Sequence, residues 1–169
     1  NLKTIADCAF QQNTSLTKID LSSIESIGAN AFEGCNKLGE VDLTQVTSLG
    51  ASAFAGCTTL SLKNGALNPN LKTIADRAFQ QNTSLMQIDL SHIETIGANA
   101  FEGCIKLGEV DLTQITSLGT SAFAGCTQLK LKTQTNLNPN LSTIGNRTFS
   151  QCSSLTQVDL SHVNTLGEQ

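Results

Sequence analysis

Ile27 to Ser48 reads IGANAFEGCNKLGEVDLTQVTS, and close variants of these 22 residues fill nearly all of the 169-residue chain in tandem. The seven phenylalanines, Phe10, Phe32, Phe54, Phe79, Phe101, Phe123 and Phe149, are its only aromatic residues and recur at intervals of 22, 22, 25, 22, 22 and 26. A fixed period of this length marks a repeat architecture, in which each unit stacks on its neighbours to bury what it cannot bury alone. Each Phe therefore counts one turn of a solenoid.

Aligned on Phe, the register is I-G-x-x-A-F-x-x-C-x-x-L-x-x-[IV]-D-L-[ST]-x-[IV]-x-[ST]. Within Leu38–Thr44 the apolar Val41 and Leu43 alternate with polar residues, the pattern of a short strand with one buried face. Ile27, Ala31, Phe32 and Cys35 stand at offsets 0, 4, 5 and 8, which suits one face of a helix of about two turns. With the next strand about 22 residues on, strands pair in parallel. The expected fold is thus an α/β solenoid with a strand and a short helix in every unit.

A longer period lies above the short one. Residues 1–62 match 70–131 with ten differences, so the repeats come in triplets, 5–73 and 74–143, followed by a partial third, 144–169. After Cys57 and Cys126 the Asp of the strand is lost, and insertions run into Pro69 and Pro139. Proline fixes φ and disfavours helix before it, so these stretches are expected as longer surface loops. The Phe, Leu and Ile slots resume at once, which makes 1–169 one elongated domain of about seven and a half repeats. The opening NLKTIADCAF enters a repeat partway and TLGEQ stops as another begins, the expectation for an excerpt of a longer chain.

Composition narrows the function classes. Ten Lys and Arg against fourteen Asp and Glu give a net charge of −4 without a basic cluster, which argues against nucleic acid as a partner. No run approaches the roughly 18 apolar residues needed for a bilayer span. No membrane insertion is expected.

The pattern resembles the BspA-like leucine-rich repeats of bacterial and protozoal surface proteins, whose signature is close to L-x-x-I-x-[LI]-P-x-x-[LIV]-x-x-I-G-x-x-A-F-x-x-C. IGANAFEGC occurs in full at 27–35 and 96–104, and the likeness covers essentially the whole chain. The Pro after the strand survives only as Pro69 and Pro139; five repeats carry Ser or Thr instead. The resemblance implies a curved right-handed solenoid, with strands on the concave face and short helices on the convex face. It further implies an extracellular or cell-surface location, a partner-binding role and no catalytic residues.

Five of the six cysteines follow Phe by three residues (Cys35, Cys57, Cys104, Cys126 and Cys152), a slot expected to point inward. Side chains of one slot point the same way in successive rungs, and Asn13 and Asn82 occupy it in two repeats, so buried free thiols are expected rather than disulfides. Cys8 stands outside the slot, where later triplets have Arg77 and Arg147, and is expected to be exposed. Neither C-x-x-C pairs nor clustered histidines suggest a metal. His92 and His162 occupy equivalent positions three rungs apart, about 14 Å at strand spacing, too far to share an ion. No cofactor is implied, and nothing assembles the nucleophile, base and orienting group of a catalytic site. Of the sequons at Asn13, Asn82 and Asn146, the first two fall in the inward slot, which leaves Asn146 as the plausible acceptor.

The remaining signal is the exposed strand face. It carries Lys18 and Asp20, Glu40 and Asp42, Gln87 and Asp89, Glu109 and Asp111, and Gln157 and Asp159, with Ser22, Thr44, Ser91, Thr113 and Ser161 beside them. Seven acids and one base give −6 on a chain of −4, so the rest of the molecule is +2. Carboxylates repeated about 4.8 Å apart repel by roughly 1 kcal/mol in bulk water and about 3.5 kcal/mol at an effective dielectric of 20. Two readings follow. Either the face is an acidic surface for a cation or a basic partner, or it is a solvated face whose Asp side chains bond the neighbouring Ser or Thr and are relieved by Lys63, Lys130 and Lys132. The expected function is a non-enzymatic protein-binding or adhesion module for a protein or matrix partner. The alternative is a structural spacer, which the lack of Trp and Tyr keeps open. Uncapped end rungs add an expectation of end-to-end self-association.

Overall fold

A computed structural model describes residues 2–132 and 139–168. Rungs 1 to 7, each centred on its Phe, stack in chain order as a parallel β-solenoid. Its strands are β1 (Thr4–Ile5), β2 (Ser26–Ile27), β3 (Glu40–Leu43), β4 (Ser48–Leu49), β5 (Ser61–Leu67), β6 (Thr73–Ile74), β7 (Thr95–Ile96), β8 (Glu109–Val110), β9 (Ser117–Leu118), β10 (Lys130–Leu131), β11 (Thr143–Ile144) and β12 (Thr165–Leu166). One ladder runs along the Ile-Gly slot, in the order β1-β2-β4 and then β6-β7-β9-β11-β12. On the expected strand face, β3 pairs with β5 and β8 with β10. Every pair is parallel, Thr4 opposite Ser26 and Ile5 opposite Ile27 being representative.

The short helices expected at Ile27–Cys35 and its copies do not form; among the described residues there is no helix. Ile27 instead closes a two-residue strand, and the residues after it run through turns. The reason is backbone conformation. The residue two before Phe and the residue two after it both hold positive φ: Asn30 at 54° and Gly34 at 73° in rung 2, Asn99 at 57° and Gly103 at 73° in rung 5. A left-handed residue cannot continue a right-handed helix. Glycine takes this conformation freely, but Gln12, Gln81 and Gln151 hold it at 59–60° in the same slot. Amides that a helix would spend on its own turn go to the next rung. The Phe10, Phe32, Phe54, Phe79 and Phe101 N–H groups donate to the carbonyls of Ala31, Ala53, Ala78, Ala100 and Ala122 at 2.8–2.9 Å.

Inside this coil the phenylalanines form one continuous stack. Neighbouring ring centroids are 5.1–6.0 Å apart and the planes lie within 8° of parallel. Phe32, Phe54, Phe79, Phe101 and Phe123 are wholly buried, whereas Phe10 and Phe149 are partly exposed. Ile, Leu and Val from the strand slots complete a single core that runs along the axis. Stacking is close enough to demand glycine after the Ile or Leu of the ladder. A Cβ on Gly50 would come within 2.4 Å of the Ala29 nitrogen, and one on Gly119 within 2.5 Å of the Ala98 nitrogen.

The first insertion is not the plain loop expected. Residues 61–67 form β5, with Leu62 and Leu67 buried and a register shift between Val41 and Leu43 of its partner. Asn68 stitches the segment down by donating from Nδ2 to the Thr44 carbonyl at 2.8 Å, while its Oδ1 accepts the Asn70 amide. Residues 133–138 of the second insertion lie outside the described residues.

Candidate functional site

The strand-face aspartates are held by their own chain. Oδ1 of Asp20, Asp42, Asp89, Asp111 and Asp159 accepts the backbone N–H two residues on, at 2.8–3.0 Å. The hydroxyls of Ser22, Thr44 and Thr113 donate to the same oxygen at 2.6–2.7 Å. This is the Asx turn with which Asp closes a tight bend, and it fixes the carboxylate plane in every such rung. Lys63 reaches Asp42 Oδ2 at 2.9 Å and Lys132 reaches Asp111 Oδ2 at 3.4 Å. The solvated-face reading of the aspartates thus describes their local bonding, and two of the three anticipated lysines provide relief.

The electrostatics follow this bonding. Lys63, then the Thr44 hydroxyl and amide, hold Asp42 down at about 2. Ser22 lowers Asp20 through its hydroxyl and amide, and Ser91 does the same for Asp89. At Asp111 burial opposes ionisation but is outweighed by Thr113 and Lys132 together, so the net shift is downward. All four carboxyls are ionised at neutral pH. The face is therefore a row of oriented negative charges, neutralised at Asp42 and Asp111. Lys18, Glu40, Gln87, Glu109 and Gln157 are exposed around it, and Asp159 is half-buried.

The cysteine slot turned inward as expected. Cys35, Cys57, Cys104, Cys126 and Cys152 are free and buried, and Cys8 is free and exposed. Each buried thiol donates to the carbonyl of the preceding rung's Phe, at 3.0–3.1 Å: Phe10, Phe32, Phe79, Phe101 and Phe123 in turn. Asn82 replaces the thiol with an amide, its Nδ2 donating to the Phe54 carbonyl at 2.9 Å. Cys and Asn share the slot because both donate there. Burial pushes the Cys57 and Cys104 thiols up to about 12 and Cys152 to about 11. These are inert thiols. Asn82 is buried as its slot predicted, but Asn13, expected inward, is exposed in rung 1, and its Oδ1 accepts the Ser15 and Leu16 amides. Asn146 is exposed.

One surface feature escaped the sequence reading. A shallow, open trough of about 480 Å³ crosses rungs 4 to 7 on the turn side, with Gln81, Glu102, Gly103, Gly125, Arg147 and Gln151 along it. It exists because Gly103 and Gly125 leave two rungs without a side chain between Gln81 and Gln151. The signal was present as Gln12, Gly34, Gly56, Gln81, Gly103, Gly125 and Gln151, the residues two after each Phe. Among the described residues, no three His, Cys, Asp or Glu are placed to hold a metal ion, and no helix is long and apolar enough to cross a membrane.

Coils that pair in parallel, bury one Phe each and keep a Leu- and Ile-rich strand face define a leucine-rich-repeat solenoid. The chain matches the BspA type leucine rich repeat region in six copies over residues 3–130 and 72–169, and it belongs to that family. No curated protein matches it. Among solved structures, it is similar to a leucine-rich repeat protein from Eubacterium ventriosum, with a TM-score of 0.76 and 27% identity over 95% of this chain and 43% of that one. The leucine-rich repeat protein of T. pallidum gives a TM-score of 0.64 and 26% identity, over 84% of this chain and 76% of that one. A leucine-rich repeat protein from Bacteroides ovatus shares the fold, with a TM-score of 0.58 and 24% identity over 85% of this chain and 45% of that one. The chain thus spans less than half the length of the Eubacterium and Bacteroides proteins.

Proposed function

We propose that this solenoid is a non-enzymatic binding module of a cell-surface protein, and that it contacts a basic protein or matrix partner through the Asp-bearing strand face. The observation that carries the reading is the Asx turn repeated rung after rung. It holds each carboxylate in one orientation before any partner arrives, so little side-chain entropy remains to be lost on binding. Glu40 and Glu109 add charge beside it, and Asp20 and Asp89 have no lysine within ion-pair distance among the described residues. Complementary charge of this kind acts mostly on encounter rate and partner choice. The extracellular location rests on the family.

A spacer without a ligand is the second reading, favoured by the fact that every aromatic ring is spent on the internal stack. The two separate in a pull-down from host-surface and matrix proteins with the parent chain and a variant carrying Asp20→Asn, Asp42→Asn, Asp89→Asn and Asp111→Asn. Asparagine retains the Oδ1 acceptor that closes each turn and removes the charge, and at positions 42 and 111 it also removes the Oδ2 that accepts from Lys63 and Lys132. A basic partner captured by the parent and lost by the variant supports the binding module. Capture by neither would favour the spacer, and equal capture by both would refute the acidic face as the contact surface.

A further inference from the structure

The Ile-Gly ladder is interrupted at one place only among the described residues. β4 and β6 are adjacent in the stack, yet they fall in different sheets. Elsewhere the amide after the strand donates back to the preceding rung: Gly28 to Ile5, Gly50 to Ile27, Gly97 to Ile74, Gly119 to Ile96 and Gly145 to Leu118, all at 2.8–2.9 Å. The equivalent bond from the Ala75 amide to the Leu49 carbonyl is missing among the described residues, and so is any bond from Lys72 or Thr73 to Thr47.

The insertion before rung 4 is the obvious cause, but the second insertion argues against it. Rung 7 follows a longer insertion, the interval from Phe123 to Phe149 being 26 against 25 from Phe54 to Phe79. There β9 and β11 pair in register, Ser117 opposite Thr143 and Leu118 opposite Ile144. Ring spacing widens at both junctions, to 5.8 and 6.0 Å, so widening accompanies insertion while loss of the ladder does not. The junctions differ in sequence: Gly145 of rung 7 is Ala75 in rung 4, and Thr148, whose hydroxyl donates to the Gly119 and Gly145 carbonyls at 3.0 and 2.8 Å, is Ala78 there; of the two, only the first puts a side chain into the ladder itself. A Cβ on Gly145 would lie 2.5 Å from the Thr120 nitrogen and 2.7 Å from the Gly119 carbonyl carbon. Ala75 carries that methyl, and regular stacking would drive it into the backbone of Gly50 and Ala51.

We infer that Ala75 is a wedge that makes the junction of rungs 3 and 4 a built-in hinge, at which the solenoid opens before it unfolds elsewhere. The junction stays tied on the turn side, where the Ser52, Phe54 and Gly56 amides donate to the Asp76, Ala78 and Gln80 carbonyls at 2.8–2.9 Å. Opening is therefore a flexing along one edge. Because each rung touches only its neighbours, rungs 1–3 and rungs 4–7 become two cooperative units.

Native-state hydrogen exchange on the whole 169-residue chain tests this. In the parent, the amides of residues 73–75 exchange faster, relative to their intrinsic rates, than those of 95–97 and 143–145. Ala75→Gly raises protection at 73–75 about tenfold, the scale of one recovered backbone bond. Gly145→Ala lowers protection at 143–145 by a similar factor. Should Gly145→Ala fail to fold, Ala75→Gly decides alone. Protection at 73–75 that does not rise in Ala75→Gly would assign the gap to the inserted residues and overturn the wedge.

Discussion

Truncation of one ring in the middle of the phenylalanine stack tests the physical basis of the fold. Phe101 is wholly buried and lies between Phe79 and Phe123, with centroids 5.6 and 5.2 Å away and planes within 8°. Phe101→Ala removes about 2–3 kcal/mol of apolar burial. It also leaves a void that neighbours bonded rung to rung cannot close, so the total loss is about 3–5 kcal/mol. For a chain of this size each kcal/mol shifts Tm by about 2–4 °C, which puts the expected fall near 10 °C. Phe10→Ala is the internal control, because that ring has one stacked neighbour in the chain and is already partly exposed. It should cost less than half as much. Circular dichroism during urea and thermal unfolding reads both, since the chain has no Trp or Tyr to follow by fluorescence. Equal losses in the two variants, or an unchanged midpoint in Phe101→Ala, would refute the claim that the stack is the continuous core.

Other outcomes follow from the same geometry. A thiol reagent applied to native protein at pH 8 should modify Cys8 alone, with five further cysteines reacting on unfolding; mass spectrometry counts the adducts, and early modification of Cys104 contradicts the burial described. With folded thiols near 11–12 against 9.0 for an ordinary thiol, their neutral form favours the folded state. That contribution is complete below pH 9 and is lost as pH rises toward 12, so the urea midpoint should fall over this window and fall less in Cys57→Ser. At the acid end the sign reverses: Asp42, held at about 2 against 3.8, contributes above pH 3.8 and its contribution disappears as pH falls through 2. Carboxyl NMR of Lys63→Met should show Asp42 titrating at higher pH, and an unmoved midpoint would remove Lys63 as the chief cause. Finally, the 169-residue polypeptide leaves Leu160 and Leu166 44% and 52% exposed at its last rung. We expect end-to-end association that strengthens with concentration and with salt, which screens the acidic faces; sedimentation velocity showing a monomer throughout would exclude it.

Much of this was legible in the chain, because a solenoid repeats its instructions. The Phe period counted the rungs, the Cys slot pointed inward, Val41 and Leu43 alternated across a strand, and Asp followed by Ser or Thr two residues on announced its own turn. These are local facts about which side of the chain faces in, and the apolar pattern alone carries them. The helix at Ile27–Cys35 failed because offsets of 0, 4, 5 and 8 say which residues are buried, not where the backbone amides go. A helix spends those amides within its own turn, whereas here they cross to the next rung, and that choice is made between residues 22 apart. Gly34 hinted at a left-handed turn, but Asn30 and Gln12 adopt the same conformation without glycine. The Ala75 substitution was likewise visible as a letter and silent as a consequence. Only the stacking of rung on rung shows that a methyl at the equivalent glycines would meet the backbone of the rung before.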